Sequence, residues 1–140
     1  MSDPGFTIVV GVDGTESSAA LLRWARDVAL AKHGRIRAVL AWRPPAYASL
    51  VPFRAEVSLI RVAEERLAKL VAENTLGVSV QSAVMEGAPA TVLLRAAADA
   101  DLLVIGGRRD GAAPASSVGV RCAVECPCPL VIVPTPRQAA

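Results

Sequence analysis

Two stretches of this chain carry residue types that could do chemistry. The first is Gly106-Gly107-Arg108-Arg109-Asp110-Gly111, followed shortly by Ser116-Ser117. Closely spaced glycines let backbone N–H groups approach an anion, and the adjacent arginines add positive charge. Serines opening a helix bring first-turn N–H groups that also favour phosphate. The stretch is not a P-loop, because it lacks Gly-Lys-Ser/Thr. A surface loop leading into a serine-capped helix would have the same composition, so both readings stand on these residues. The second stretch is Val12-Asp13-Gly14. A carboxylate at the end of a buried strand, facing a crevice, can accept hydrogen bonds from a base or sugar edge; an Asp-Gly pair is equally an ordinary turn former. Gly11-x-x-Gly14 is not the GxGxxG of a dinucleotide domain.

Other chemistries are excluded by scarcity. His33 is the one histidine, so no multi-histidine metal site exists, and its place before Gly34 suits a charge partner at a helix C-terminus. Three cysteines, Cys122, Cys126 and Cys128, fall close together. The odd number argues against a disulfide framework, and the spacings CxxxC and CxC are not the CxxC pairs of zinc sites. Cys128, at the entry to an apolar strand, reads as core.

These residues need elements to position them, and the pattern alternates. A continuous apolar run at 7–12 suits a strand covered on both faces. A helix follows, with Thr15 as N-cap, Leu22, Ala25, Val28 and Ala29 at helical spacing, and Gly34 closing it. Residues 36–42 form a second strand, stopped by Pro44-Pro45. Residues 43–55 read as a long loop before a helix with Ile60, Ala63, Leu67, Leu70 and Val71 on one face. Residues 78–84 are a third strand, and Pro89 sits in the first turn of a third helix carrying Leu93, Leu94, Ala97 and Ala98. A fourth strand at 102–105, a helix at 116–125 and a fifth strand at 129–133 complete the chain. Strands alternating with helices require parallel pairing through right-handed crossovers. The expectation is one α/β doubly wound domain over residues 1–140, with its core at about 6–134 and its ligand crevice at the carboxyl ends of the strands.

Composition bounds the rest. Hydrophobic residues are 53% and charged residues 20%, with mean hydropathy +0.43, ample for one buried core. The apolar runs, such as 102–105 and 130–133, are strand-sized and far short of the roughly 20 residues of a spanning helix. The first residues show no basic segment followed by an apolar stretch, so a cytoplasmic domain without membrane contact is expected. A net charge of +2 with scattered basic residues and 4% aromatics gives no nucleic-acid patch.

In this order the pieces resemble the universal stress protein family, from Thr7 to Pro134. The matching segments are Ile-Val-Val-Gly-Val-Asp-Gly-Thr-Glu-Ser-Ser at 8–18, Ala-Trp-Arg-Pro-Pro at 41–45, Gly-Ala-Pro-Ala at 87–90, Ala-Asp-Ala-Asp-Leu-Leu-Val-Ile-Gly-Gly-Arg at 98–108 and Pro-Cys-Pro-Leu-Val-Ile-Val-Pro at 127–134. The resemblance implies a five-stranded sheet of order 3-2-1-4-5 with four helices, of the adenine-nucleotide alpha-hydrolase-like type. It also implies a homodimer paired through the last strand, Leu130 to Val133, an apolar edge that is otherwise an aggregation hazard.

In the family's nucleotide-binding branch, ATP (with magnesium where a metal accompanies it) lies between the strand-one aspartate, backbone near the end of strand two, and a Gly-x2-Gly-x9-Gly-Ser/Thr motif. Two alignments of that motif compete. Strict spacing matches Gly106 and Gly119, with Arg109 at the middle glycine and Val120 at the Ser/Thr. Anchoring on Pro-Cys-Pro matches Ser116-Ser117-Val118 to the usual Gly-Ser-Val and shortens the preceding loop by about three residues, which costs less than cutting a helix. The second is preferred.

The resemblance thus assigns Val12 and Asp13 to the adenine or ribose end and the backbone of Val39 and Ala41 beside it. Gly106 and Gly107 serve close approach, and Arg109, Ser116, Ser117 and Val118 the phosphates. No histidine or metal-ligating carboxylate pair stands at that loop, so no catalytic residue is assigned and ATP hydrolysis would be slow at most. The expected function is a cytoplasmic nucleotide-binding stress-response protein. The alternative, favoured by the altered glycine motif, is a dimeric interaction module without nucleotide.

Overall fold

A run such as Thr7-Ile-Val-Val-Gly-Val12 has no solvated face to offer, so it must lie between two layers. That is where it is found. The computed structural model describes residues 5–43, 53–108 and 117–135. Their elements run β1 (Thr7–Val12), α1 (Ser17–Lys32), β2 (Arg35–Trp42), α2 (Phe53–Asn74) and β3 (Val80–Glu86). Then follow α3 (Pro89–Ala96), closed by a 3-10 turn at Ala97–Asp99, and β4 (Leu102–Arg108), α4 (Ser117–Glu125) and β5 (Leu130–Thr135). The sheet is parallel throughout, in the order β3-β2-β1-β4-β5. The expected class, strand number and order are all observed.

Alternate residues of β1 serve opposite layers. Ile8, Val10 and Val12 pack with Leu21, Leu22, Ala25 and Ala29 of α1 and Leu67 and Leu70 of α2. Val9 packs on the other face with Val92 and Leu93 of α3, Cys122 of α4, and Val39, Leu103 and Ile105 of the sheet. Ile8, Val9 and Val10 have no exposed surface at all. At the amino end the register is pinned by Asp101, whose N–H donates to the Thr7 carbonyl at 2.9 Å while its Oδ2 accepts the Thr7 N–H at 2.8 Å.

Several boundaries differ from expectation. β4 continues past Ile105 to Arg108 because β5 continues beside it, pairing Gly106 with Val133, Gly107 with Pro134 and Arg108 with Thr135. Glycines are poor strand formers and Pro134 lacks a donor, but β5 is an edge strand, where proline is tolerated. β3 lies at 80–86 rather than 78–84, in register with β2 through Trp42↔Glu86. α2 begins at Phe53, so 53–55 belong to the helix and not to the expected loop.

The end of α1 is closed differently from the expectation. His33, not Gly34, takes the left-handed conformation (φ 54°, ψ 41°), and the Gly34 N–H reaches back to the Ala29 carbonyl at 2.8 Å. Position 34 requires glycine for another reason: a Cβ there would stand 2.6 Å from the Phe6 carbonyl oxygen. Gly34→Ala should therefore cost about 1–3 kcal/mol, since backbone must shift to admit the methyl. Gly119→Ala, inside α4 with nothing within 4 Å of the new Cβ, should instead stabilise by about 0.5–1 kcal/mol. Urea unfolding of both variants checks the opposite signs.

Candidate functional site

The site is opened by a parting of strands. β1 and β4 pair only over Ile8↔Leu102, Val9↔Leu103 and Val10↔Val104, although β1 runs on to Val12 and β4 to Arg108. Chain order reverses direction between these two strands, which makes their carboxyl ends the switch point where an open α/β sheet holds a ligand. Val12 and Asp13 lie at one rim, and Gly106, Gly107 and Arg108 at the other.

Asp13 is prepared by its neighbours. Its Oδ1 accepts hydrogen bonds from the Thr15 N–H (2.9 Å), the Thr15 hydroxyl (2.6 Å) and the Ser18 hydroxyl (2.7 Å). Ser18 is buried, and its Oγ also accepts the Asp13 N–H at 2.9 Å, so aspartate and serine clasp each other at both backbone and side chain. Thr15 is thus not the side-chain N-cap of α1: the cap position is Glu16, with helical backbone and no side-chain cap bond. The Thr15 side chain turns instead to the carboxylate and to Ser17, 2.6 Å from its Oγ. Partial burial works against the charged form of Asp13, but hydrogen bonds from Thr15 and Ser18 outweigh it and hold the carboxyl below its ordinary range. The result is an exposed, ionised carboxylate fixed in orientation through one oxygen.

Thr15 and Ser18 were not assigned a role by the resemblance. The signal that could find them is the spacing Asp-x-Thr-x-x-Ser, which places a threonine two residues on for an Asx-type turn and a serine in the first helical turn.

The other expected residues are placed unevenly. Val12 is buried, and its side chain belongs to the α1/α2 layer, which leaves its backbone for the rim. Val39 is buried inside β2, paired with Gly11 on one side and Ala83 on the other, so its backbone serves the ladders. Ala41 is better placed: β1 ends opposite Leu40, and only β3 flanks it, through Met85. Gly106 and Gly107 lie within β4 rather than in a loop after it, with Gly106 exposed at the rim. A Cβ on Gly107 would meet the Ile132 side chain at 2.6 Å, so the bareness of this position also serves packing across to β5. Ser117 is the first residue of α4, and Val118 packs its half-buried side chain against the α3/α4 layer, leaving its backbone at the helix start. Arg109 and Ser116 lie outside the described residues.

Among the described residues no three His, Cys, Asp or Glu side chains form a metal-holding group, and no helix is long and apolar enough to cross a membrane.

Sheet order defines a doubly wound α/β protein, and the parting of β1 and β4 opens a crevice at their carboxyl ends. A model of the universal stress protein family matches residues 6–134, and the chain belongs to that family. It is similar to a universal stress protein solved in complex with cAMP, at 26% identity and TM-score 0.66, over 96% of this chain and 100% of that one. It is also similar to a family member from Burkholderia pseudomallei, at 24% identity and TM-score 0.73, over 96% and 100%. The universal stress protein from Archaeoglobus fulgidus in complex with dAMP shares the fold at 17% identity and TM-score 0.67, over 94% and 99%. No curated protein matches the chain.

A carboxyl group more acidic in the folded than in the unfolded protein contributes stability above its unfolded value, near pH 4, and loses it as pH falls through the lower folded value. Asp13→Asn should accordingly be less stable than the parent by about 1 kcal/mol at pH 7, with the difference shrinking as pH falls below about 4. Urea unfolding across that range checks it.

Proposed function

We propose that the crevice between the carboxyl ends of β1 and β4 binds an adenine nucleotide, ATP in the first instance, and that the protein acts through it in stress response or signalling. The observation that carries this reading is the ionised Asp13 carboxylate, held by Thr15 and Ser18 where the two strands part. It accepts hydrogen bonds from the adenine or ribose end, with the backbone of Val12 and Ala41 beside it and Val39 deeper in the sheet. Gly106 and Gly107 admit the ligand close to β4. The phosphates lie toward Arg109, Ser116, Ser117 and Val118, where the first-turn N–H groups of α4 have no partner within the helix itself. The relative solved with cAMP, an adenine nucleotide, supports the ligand class.

The start of α4 at Ser117 supports the alignment that sets Ser116-Ser117-Val118 on the motif's Gly-Ser-Val. Gly119, the glycine required by the other alignment, has open space around it and no demand for a missing Cβ. The reading includes no catalytic base, and turnover is slow at most. Magnesium, where it accompanies ATP, is held by the phosphates rather than by a protein cage.

The protein works as a cytoplasmic homodimer paired through β5. Supporting this, β5 is an edge strand, and Ile132 on it, together with Val120 and Val124 of α4, is exposed. Such an edge invites pairing with a second copy.

Calorimetric titration of the purified chain with ATP and with cAMP tests the nucleotide site. Binding should weaken at least about 10-fold in Asp13→Ala, with the far-UV spectrum unchanged. No heat at about 1 mM nucleotide, or equal binding by the folded variant, overturns the reading and leaves an interaction module without nucleotide. Sedimentation tests the dimer separately: Ile132→Arg should shift the chain to monomer, and a parent chain already monomeric would refute it.

A further inference from the structure

The amino edge of the sheet, opposite the crevice, carries a second concave surface. There Thr7 opens β1, Arg35 opens β2, and Ser79 immediately precedes β3. Strand register sets Thr7 beside Arg35 and Gln81 beside Arg37. Residues 35, 37 and 39 share one face of β2, and Val39 packs in the α3/α4 layer, so both arginines start on that side of the sheet. Thr7, Arg35, Arg37, Ser79 and Gln81 line a groove of about 90 Å³. Organic ligands occupy pockets of roughly 300 Å³ or more, so this groove suits a small ion or a single ionic group.

Its cations are held in place by the fold. Arg35 Nε donates to Thr7 Oγ1 at 3.0 Å. One terminal nitrogen of Arg37 donates to the Ala96 carbonyl at 2.9 Å and to Asp99 Oδ1 at 3.0 Å. Neither guanidinium spends all its N–H donors on these bonds. Thr7 is the more telling group. It is only 4% exposed, its Oγ1 accepts from Arg35, and its own hydroxyl hydrogen meets no acceptor among the described residues. The Ser79 hydroxyl and Gln81 amide likewise have no hydrogen-bond partner among those residues. Spare donors around a groove suit a ligand that only accepts. A carboxylate offers two oxygens in one plane, whereas a phosphate group offers three or more in different directions and is well matched by guanidinium forks.

Two acids temper the charge. Asp99, its side chain 75% exposed, pairs with Arg37, and Asp101 Oδ2 accepts the Thr7 N–H at 2.8 Å. The hydrogen bond and charge of Arg37, with a smaller share from the charge of Arg35, hold the Asp99 carboxyl below its ordinary range. One anionic group therefore already feels both cations.

We propose that the groove between Arg35 and Arg37 binds a phosphate group, as the free ion or as a monoester. Arg35 is the anchor, Thr7 donates from the floor, and the ligand competes with Asp99 for Arg37.

The full chain, labelled for amide proton–nitrogen spectra, is titrated with inorganic phosphate at constant ionic strength. The amides of Arg35, Arg37 and Gln81 should shift and saturate, with a dissociation constant of about 1 mM or below. Arg35→Gln, folded by circular dichroism, should bind at least about 10-fold more weakly. Asp99→Asn keeps an acceptor for Arg37 but removes the competing charge, and should bind about 3-fold more tightly. A merely structural pair would not give that gain. N-acetyl-phosphoserine amide separates the two sources: binding at least as tight as the free ion marks a group presented by a partner, and weaker binding marks the ion itself. Four results overturn the proposal: shifts that never saturate, undiminished binding by Arg35→Gln, acetate bound as well as phosphate, or shifts confined to residues 117–119, which report on the crevice.

Discussion

The structure depends on a strand whose middle touches no water. Once Ile8, Val9 and Val10 are sealed between two layers, the polar groups that the ladders of β1 to β2 and β4 leave over must be met at the ends of the strand. At the amino end Asp101 does so, with its N–H and carboxylate both engaged by Thr7. At the carboxyl end Asp13 and Ser18 clasp each other. The middle of the strand offers only apolar side chains, so the sheet can bind a polar ligand only at its margins. Of the two margins, the carboxyl one is where β1 and β4 part. The same burial that stabilises the fold therefore leaves the crevice at this margin as the place for the proposed site.

Much of this was legible in the residues, because burial writes itself into composition. The two-sided strand at 7–12, the helical spacing of Leu22, Ala25 and Ala29, and the proline at 89 each have one plausible reading, and each was found where expected. The strand ends after Ile105 and Val133 were less legible because local propensity misleads there. Glycine and proline argue against a strand in isolation, but the ladder between β4 and β5 makes each the other's context and carries both onward. Likewise the left-handed close of α1 falls on His33, while Phe6, far off in sequence, is what leaves Gly34 no room for a side chain. Tertiary neighbours decide these positions, and a single sequence does not display them.

The site was readable as a set of residue types, less so as an arrangement. Asp13 stood out by its place after a buried strand. Its partners did not, because Thr15 and Ser18 look like routine residues of a helix start. What distinguishes them is that three donors converge on one carboxylate oxygen. Val39 and Ala41 show the converse: both lie near the end of β2, yet the ladder occupies the first and frees one side of the second.

The glycines of β4 join the site to the sheet's outer edge. Gly106 and Gly107 pair with Val133 and Pro134, and the bare backbone of Gly107 is covered by Ile132, itself half-exposed on the edge strand. A side chain at 107 would have to displace Ile132 before it could affect a ligand. The rim of the crevice is consequently supported by β5, a strand with one neighbour among the described residues. A second strand on the outer side of β5 would also steady the strand that supports Gly106 and Gly107, and through it the β4 wall of the crevice.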